Sequence, residues 1–242
     1  MIANSFVQDK KDIILAISTP SAQAAYNATK KIPILITAVT DAESAGLVGD
    51  NITGTSDEIQ VDQILALALE IDPSMKTLGF IYNSGEANSV SNLKKAKAFC
   101  KQHDIKLVEG SGKNISEIQS AISVLTDQCD AIFAPNDNTV ASSITALVET
   151  ANKKKVPVYT GADSMVSDGG FATVGINYTN LGKETAKMVD QILKGKAVAD
   201  IPVKVFKDDL NTYINEDTLK ALGIQLPDTV KNRENLVMMK GE

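Results

Sequence analysis

The sequence predicts an α/β protein built on parallel β-sheets. Short apolar runs rich in β-branched residues alternate with amphipathic helical stretches along nearly the whole chain. Its 242 residues correspond to one or two domains at about 150 residues each, which is enough for a buried core. The 43% hydrophobic and 22% charged residues are typical of globular proteins, which excludes a disordered or collagen-like chain.

The first series of elements contains two strands and two helices. A strand over Asp12 to Ile17 is followed by Ser18-Thr19-Pro20, which supplies an N-cap and an early proline for a helix over Ala22 to Lys30. The second strand, Ile32 to Val39, precedes a Gly-Thr-Ser-Asp stretch and then a helix over Val61 to Ile71. This series is too short for a complete lobe.

The second series predicts one complete doubly wound lobe. Its elements are strand 77–82, helix 89–103, strand 106–109, helix 115–125, strand 131–134, helix 139–153 and strand 156–159. A strand over Ala172 to Ile176 is expected to return to the first sheet, before a helix over Leu181 to Leu193 and an extended segment from Ile201 to Phe206. We therefore predict residues 1–55 and 174–198 as lobe 1, and 56–173 and 199–242 as lobe 2.

A first sheet of three strands leaves an edge uncovered, so we expect the first lobe to be incomplete at the N-terminus. If two strand-helix units are missing, they would amount to roughly sixty residues upstream of Met1. The alternative is that residues 1–11 are an ordinary exposed start and three strands suffice. No signal peptide is visible, and apolar runs of about five residues are far shorter than the roughly twenty that cross a bilayer.

Composition excludes several functions. The net charge of −6 disfavours nucleic-acid binding. With no Trp and 5% aromatic residues, a pocket must be built from small, aliphatic and polar side chains. We expect Cys100 and Cys129 to be free core residues, since no CxxC or HExxH motif suggests a metal site. No cofactor and no metal are expected.

Catalytic motifs are also missing. His103 is the single histidine and lies in a polar link after a helix, where an exposed position is expected rather than general-base catalysis. The stretch Gly110 to Asn114 suggests a phosphate loop, but Leu107 stands where the first glycine should be. The sequence therefore does not predict an enzyme.

Polar residues accumulate after the predicted strands, where parallel sheets bind their ligands. The helix start at Ser18 and Thr19 offers backbone N–H groups and hydroxyls that suit a carboxylate, and Thr40 can add a hydroxyl. Glu86 and Asp137 suit an ammonium group. Further polar contacts are expected from residues of the same loops, namely Asn88, Ser89, Asn136 and Asp163. An α-amino acid presents both charges, although each residue alone is also an ordinary cap or turn residue.

Several motifs in order resemble the substrate-binding proteins of ABC transporters of the tryptophan/tyrosine type. The resemblance runs from Asp12 to Pro227. The matching segments are 54–57, 79–83, 85–89, 134–140, 175–178, 181–182, 192–196, 215 and 222–224.

The resemblance implies a type I periplasmic-binding-protein fold, two lobes that close on a ligand in the cleft between them and deliver it to an ABC permease. It implies an aromatic amino acid as ligand, a monomer, and an extracytoplasmic location as a lipoprotein or in the periplasm. Family members carry an export signal and a first strand and helix, neither of which is visible here. The alternative is the ligand-sensing effector domain of a bacterial regulator, which has the same fold.

Overall fold

The computed structural model describes residues 2–206 and 210–240, along which strands alternate with helices. The strands are β1 (Ile14–Ile17), β2 (Ile34–Thr37), β3 (Ile52–Ser56), β4 (Thr77–Tyr82), β5 (Lys106–Ser111), β6 (Ala131–Ala134), β7 (Val158–Thr160), β8 (Ala172–Gly175), β9 (Lys204–Val205), β10 (Asn211–Asn215) and β11 (Leu236–Met239). The helices are α1 (Ile2–Gln8), α2 (Thr19–Ala28), α3 (Val61–Ile71), α4 (Ala87–Gln102), α5 (Ile115–Thr126), α6 (Asn138–Ala141), α7 (Ile144–Lys153), α8 (Asp163–Ser167), α9 (Tyr178–Leu193), α10 (Glu216–Leu222) and α11 (Asp228–Lys231).

The chain divides into two compact units. Unit 1 comprises the described parts of Met1–Glu58 and Ile176–Asp209, and unit 2 those of Ile59–Gly175 and Leu210–Glu242. None of the helices within 2–206 and 210–240 combines the length and apolar character needed to cross a bilayer.

Unit 1 contains a parallel sheet in the order β1-β2-β3-β9. Apolar side chains of β1, β2 and α2 form one core cluster, and Leu35 of β2 packs with Met188 of α9 in another. Helices therefore contribute to cores on both sides of this sheet, as parallel strands require. Within β3, Gly54 has a φ of +148°, and a side chain there would collide with the backbone carbonyl of Ile36. Only glycine allows β3 to approach β2 in this way.

Unit 2 contains a seven-stranded sheet in the order β11-β10-β8-β7-β6-β4-β5. Its strands are parallel except where β8 meets β10. Its core contains Phe80, Phe133, Tyr159 and Phe171, which are at most 1% exposed. Burying each such side chain stabilises the folded state by about 1.5–3 kcal/mol. This core therefore holds in place the strands whose ends carry the polar loops.

Two predictions about the sheets are wrong. The strand over Ala172 to Ile176, expected in the first sheet, is β8, which pairs with β7 and β10 in unit 2. The third strand of the first sheet is instead β3, whose sequence Ile-Thr-Gly-Thr-Ser resembles a turn because it contains one large apolar residue. Residues 204–205, expected in lobe 2, pair as β9 with β3 in unit 1.

The cysteines and the histidine occupy the expected environments. Cys100 and Cys129 are free and buried, and burial raises the pKa of each thiol to about 11. His103 is exposed and stacks on the ring of Phe99, with 4.2 Å between the ring centroids. A thiol with a raised pKa is a poor nucleophile at neutral pH.

Candidate functional site

In both units, the residues predicted to bind a ligand follow the carboxyl ends of parallel strands. Unit 1 contains Ser18 and Thr19 after β1, and Thr40 after β2. The remaining predicted residues lie in unit 2, after β4, β6 and β7, and are Glu86, Asn88, Ser89, Asn136, Asp137 and Asp163. The strand ends of an open parallel sheet are where ligands bind in this class of fold.

The backbone of unit 1 is strained directly after β1 and β2. Ser18 has a φ of +73° and Ala38 a φ of +53°, although neither is glycine. Ser18 is held there by its N–H, which donates to the carbonyl of Thr37 at 3.0 Å. Such conformations cost about 1–3 kcal/mol each and concentrate at functional sites. The carboxylate-binding role of Ser18 and Thr19 stays a prediction.

Thr40 belongs to a hydroxyl–carboxylate cluster that sequence reasoning missed. Its hydroxyl donates to Oδ1 of Asp57 at 3.1 Å, and the phenol of Tyr178 donates to Oδ2 of the same carboxylate at 2.8 Å. Asp57 is 5% exposed. The hydroxyl of Thr40 therefore donates to a carboxylate of the protein itself, and its expected role as a donor to a ligand carboxylate stays a prediction.

Asp137 is fully buried, and both of its carboxylate oxygens accept hydrogen bonds from the chain. Oδ1 accepts from the N–H of Val140 at 2.9 Å and caps α6, while Oδ2 accepts from the Ser89 hydroxyl at 2.6 Å and the Asn83 N–H at 2.7 Å. Burial raises the pKa of Asp137, and these three hydrogen bonds partly oppose the shift. The structure thus gives Asp137 and Ser89 a role in holding the loop after β6.

Glu86 has a similar role at the start of α4. Its Oε2 accepts from Nδ2 of Asn138 at 2.7 Å, and its Oε1 accepts from the N–H and the hydroxyl of Thr139, both at 3.3 Å. Glu86 is 7% exposed, and its negative charge lies at the N-terminus of α6, where N–H groups are unpaired. The two acids expected to bind an ammonium group, Glu86 and Asp137, therefore accept hydrogen bonds from α6, and their ammonium-binding role stays a prediction.

The side-chain amide of Asn88, on α4, connects the start of this helix to the loop after β6. Its Nδ2 donates to the carbonyl of Asn136 at 3.0 Å. Its Oδ1 is buried and receives no hydrogen bond from the residues that the structure describes. A buried carbonyl oxygen of this kind is a suitable acceptor for an ammonium group.

Asn136 and Asp163 are the predicted residues that remain half-buried in unit 2. Asp163 is the first residue of α8, and its Oδ1 accepts from the N–H of Ser164 at 2.8 Å. Burial raises the pKa of Asp163, because desolvation outweighs its backbone hydrogen bonds. Asn136 lies beside the loop before α8, since a side chain at Gly161 would collide with the backbone nitrogen of Asn136. Glycine at 161 therefore permits the loops after β6 and β7 to approach closely.

Sequence reasoning missed Asp57, Tyr178 and Asn92. Asp57 was hidden in a Gly-Thr-Ser-Asp stretch that is typical of a turn. Asn92 had one usable signal: it is four residues after Asn88 on α4 and four before the buried Ala96, so it lies on the buried face.

Comparison with known proteins identifies relatives over almost the whole chain. A family model described as ABC transporter substrate binding protein matches residues 1–237. A tyrosine-binding protein of Clostridioides difficile (strain R20291) is 44% identical over 230 residues, which cover 93% of this chain and 66% of that protein. A transport receptor is thereby favoured over the effector domain of a regulator.

Two solved structures are similar in fold and sequence. A conserved domain protein from Vibrio cholerae superposes with a TM-score of 0.94 at 40% identity, covering 99% of this chain and 82% of that chain. An ABC domain from Streptococcus pneumoniae, solved in complex with L-Trp, has a TM-score of 0.92 at 35% identity, covering 98% and 82%. The predicted α/β, periplasmic-binding-protein type of fold is confirmed. The chain belongs to the family of ABC transporter substrate-binding proteins.

Proposed function

We propose that the protein is the solute-binding component of an ABC importer and that its ligand is an aromatic L-amino acid. The observation that carries the proposal is the pair of relatives with related ligands: the 44% identical protein is a tyrosine-binding protein, and the 35% identical structure contains L-Trp. Tyrosine and tryptophan share an α-ammonium group, an α-carboxylate and an aromatic ring. The polar residues at the strand ends suit both the ammonium and the carboxylate group.

Asp163 is the acid of unit 2 that we propose for the ammonium group. Its described hydrogen bonds are to backbone N–H groups at its own helix start, whereas the carboxylates of Glu86 and Asp137 are engaged by α6 and by the loops beside it. Because Asp163 is half-buried, its charge is only partly screened by solvent. The buried amide Oδ1 of Asn88 is a second, uncharged acceptor for the ammonium group.

Asn136 is proposed as a neutral polar contact, and Ser18 and Thr19 as the carboxylate site. The N-terminus of α2 offers backbone N–H groups and the positive end of a helix dipole, which bind an anion without a basic side chain. The ammonium and carboxylate contacts are separable by ligand chemistry, because an amino acid amide loses only the carboxylate contact.

The remaining properties of the proposal come from the family. We propose an ABC permease as the protein partner, an extracytoplasmic location as a lipoprotein or periplasmic protein, and a monomer in solution. Size-exclusion chromatography with light scattering tests the monomer, and labelling of intact cells with a membrane-impermeant reagent tests the location.

Ligand binding is testable by fluorescence because the protein contains no Trp. All indole emission then comes from the L-tryptophan ligand, and transfer from water into a drier site shifts the emission of the bound fraction to the blue. L-Tyrosine and L-phenylalanine should displace it, whereas L-leucine and ribose should not. Calorimetry with L-tyrosine provides an independent dissociation constant. If the protein responds to none of Trp, Tyr and Phe, the aromatic assignment is wrong.

A further inference from the structure

Asn92 and Asn88 together hold residue 136 from one face of α4. Nδ2 of Asn92 donates to the side-chain Oδ1 of Asn136 at 3.0 Å, and Nδ2 of Asn88 donates to the backbone carbonyl of Asn136 at 3.0 Å. Residues four apart on a helix lie on the same face, so α4 presents two adjacent NH2 groups to one loop residue. Both carbonyl oxygens of Asn136 are thereby bound by α4.

This arrangement determines how the Asn136 amide is oriented. The oxygen and NH2 ends of a carboxamide are similar in size, and an amide without a fixed partner can exchange them by rotation. Asn92 donates to Oδ1, so that oxygen is held towards α4, and the opposite end of the amide is the NH2 group. Asn136 is half-buried, whereas Asn92 beneath it is 0% exposed.

We propose that Asn92 is a positioning residue that fixes Asn136 as a hydrogen-bond donor for the ligand. The inference rests on the proposed function in one respect, the assignment of Asn136 as a ligand contact. A donor at this position recognises an acceptor of the ligand, such as a carboxylate or hydroxyl oxygen. Rotation of the amide would present an acceptor and weaken that contact.

Asn92 is poorly suited to a role in stability alone. Its Oδ1 is buried and receives no hydrogen bond from any residue in 2–206 or 210–240. Burying an amide oxygen without a donor costs free energy, and a leucine, whose side chain has the same branching and number of heavy atoms, would avoid this cost. A core residue that lowers stability beside a polar site is typical of a functional residue.

Asn215 supplies a matched control in the same unit. It is 1% exposed, and both ends of its amide are used: Oδ1 accepts from the N–H groups of Asp217 and Thr218, and Nδ2 donates to the carbonyl of Val166 at 2.7 Å. Asn215 caps α10, so the hydrogen bonds of its amide hold the fold together.

The first test compares Asn92→Leu with Asn215→Leu, using L-tryptophan titrations and thermal unfolding. We expect Asn92→Leu to weaken binding at least about tenfold without lowering the melting temperature. Asn215→Leu should lower the melting temperature and leave the dissociation constant of the folded protein within about twofold. An unchanged dissociation constant in Asn92→Leu would overturn the inference. Asn92→Met is the second variant if leucine at 92 prevents folding.

The second test needs no ligand. Asn136→Ala removes the acceptor of the Asn92 amide, so it should lower the urea midpoint of the wild type but have little effect in the Asn92→Leu background. Equal shifts in both backgrounds would show that the two residues are not coupled and would overturn the inference. If the wild type binds none of Trp, Tyr and Phe, the proposed function fails, and this unfolding cycle still decides whether Asn92 holds Asn136.

Discussion

The hydroxyl of Ser89 donates a 2.6 Å hydrogen bond to the fully buried carboxylate of Asp137. This bond joins the first turn of α4 to the loop after β6, and Glu86 and Asn88 add further bonds between the same two loops. The polar residues after β4 and β6 are therefore hydrogen-bonded to one another. Such a network presents the remaining groups, Asn136 among them, in a fixed geometry.

Substitution of Asp137 should lower stability more than ligand affinity. Asp137→Ala removes the cap of α6 and leaves the Asn83 N–H without its acceptor, which should cost about 2–4 kcal/mol of unfolding free energy in urea titrations. Asp137→Asn keeps an oxygen acceptor, so the dissociation constant for L-tryptophan should change by about threefold or less. A loss beyond about thirtyfold at unchanged stability would instead place Asp137 in contact with the ammonium group.

The raised pKa of Asp137 also predicts a pH dependence of stability. Burial raises its folded-state pKa above the unfolded value near 3.9, so the folded protein holds a proton that the unfolded chain releases. The unfolding free energy contributed by this group is therefore highest below about pH 4 and falls as the pH rises through the folded pKa. Subtracting the pH profile of Asp137→Asn from that of the wild type isolates this fall. A flat difference would contradict it.

Two glycines should respond to alanine in opposite directions. A side chain at Gly161 would collide with the Asn136 nitrogen and with Ile59, so Gly161→Ala should cost several kcal/mol and displace Asn136. Gly182 lies exposed on α9 with nothing near its missing side chain, so Gly182→Ala should stabilise the protein by about 0.5–1 kcal/mol. Thermal unfolding measures both, and a stable Gly161→Ala protein would show that the two loops are not in close contact.

Strands β4, β6 and β7 of unit 2 were predictable because their runs are apolar on both faces, whereas β10 and β11 were not among the predicted strands. Thr77–Tyr82 and Ala131–Ala134 are almost entirely buried, as strands covered by helices on both sides must be. β3 escaped prediction because its buried residues are threonines: Thr55 bonds to Thr37 and Thr185, and Thr53 bonds to the carbonyl of Ile201. Their hydroxyls are satisfied only by tertiary contacts, which a sequence pattern does not show.

At the site, the positions of the polar residues were predictable but their hydrogen-bond partners were not. Ligands bind at the carboxyl ends of parallel strands, and this rule drew attention to the loops after β4, β6 and β7. These loops contain Glu86, Asn136, Asp137 and Asp163. Formal charge then favoured Glu86 and Asp137 for the ammonium group, yet both lie beside the N-terminus of α6, whose N–H groups compete for a carboxylate. That short helix, Asn138–Ala141, was expected as part of one longer helix.

The phenol of Tyr178 should stabilise unit 1 through Asp57. Tyr178→Phe removes the 2.8 Å hydrogen bond to Oδ2 and should lower the unfolding free energy by about 1.5–3 kcal/mol, because the acceptor is charged and 5% exposed. Asp57→Asn should reduce the effect of Tyr178→Phe, which a double-mutant cycle in urea measures. Additive effects would mean that the hydrogen bond contributes nothing to stability.

Binding of an amino acid should weaken at acidic pH through Asp163. Burial raises the pKa of this carboxyl group, so it loses its charge at a higher pH than an exposed aspartate, and below that pKa the dissociation constant should rise up to about tenfold per pH unit. Asp163→Asn should bind about ten- to a hundredfold more weakly at neutral pH and lose this acid dependence, because no charge remains to titrate. The exposed Asp168 at the end of α8 is the matched control, and Asp168→Asn should retain both the affinity and the pH profile of the wild type. An acid dependence of equal slope in Asp163→Asn and the wild type would assign the titration to another group and remove Asp163 from the ammonium site.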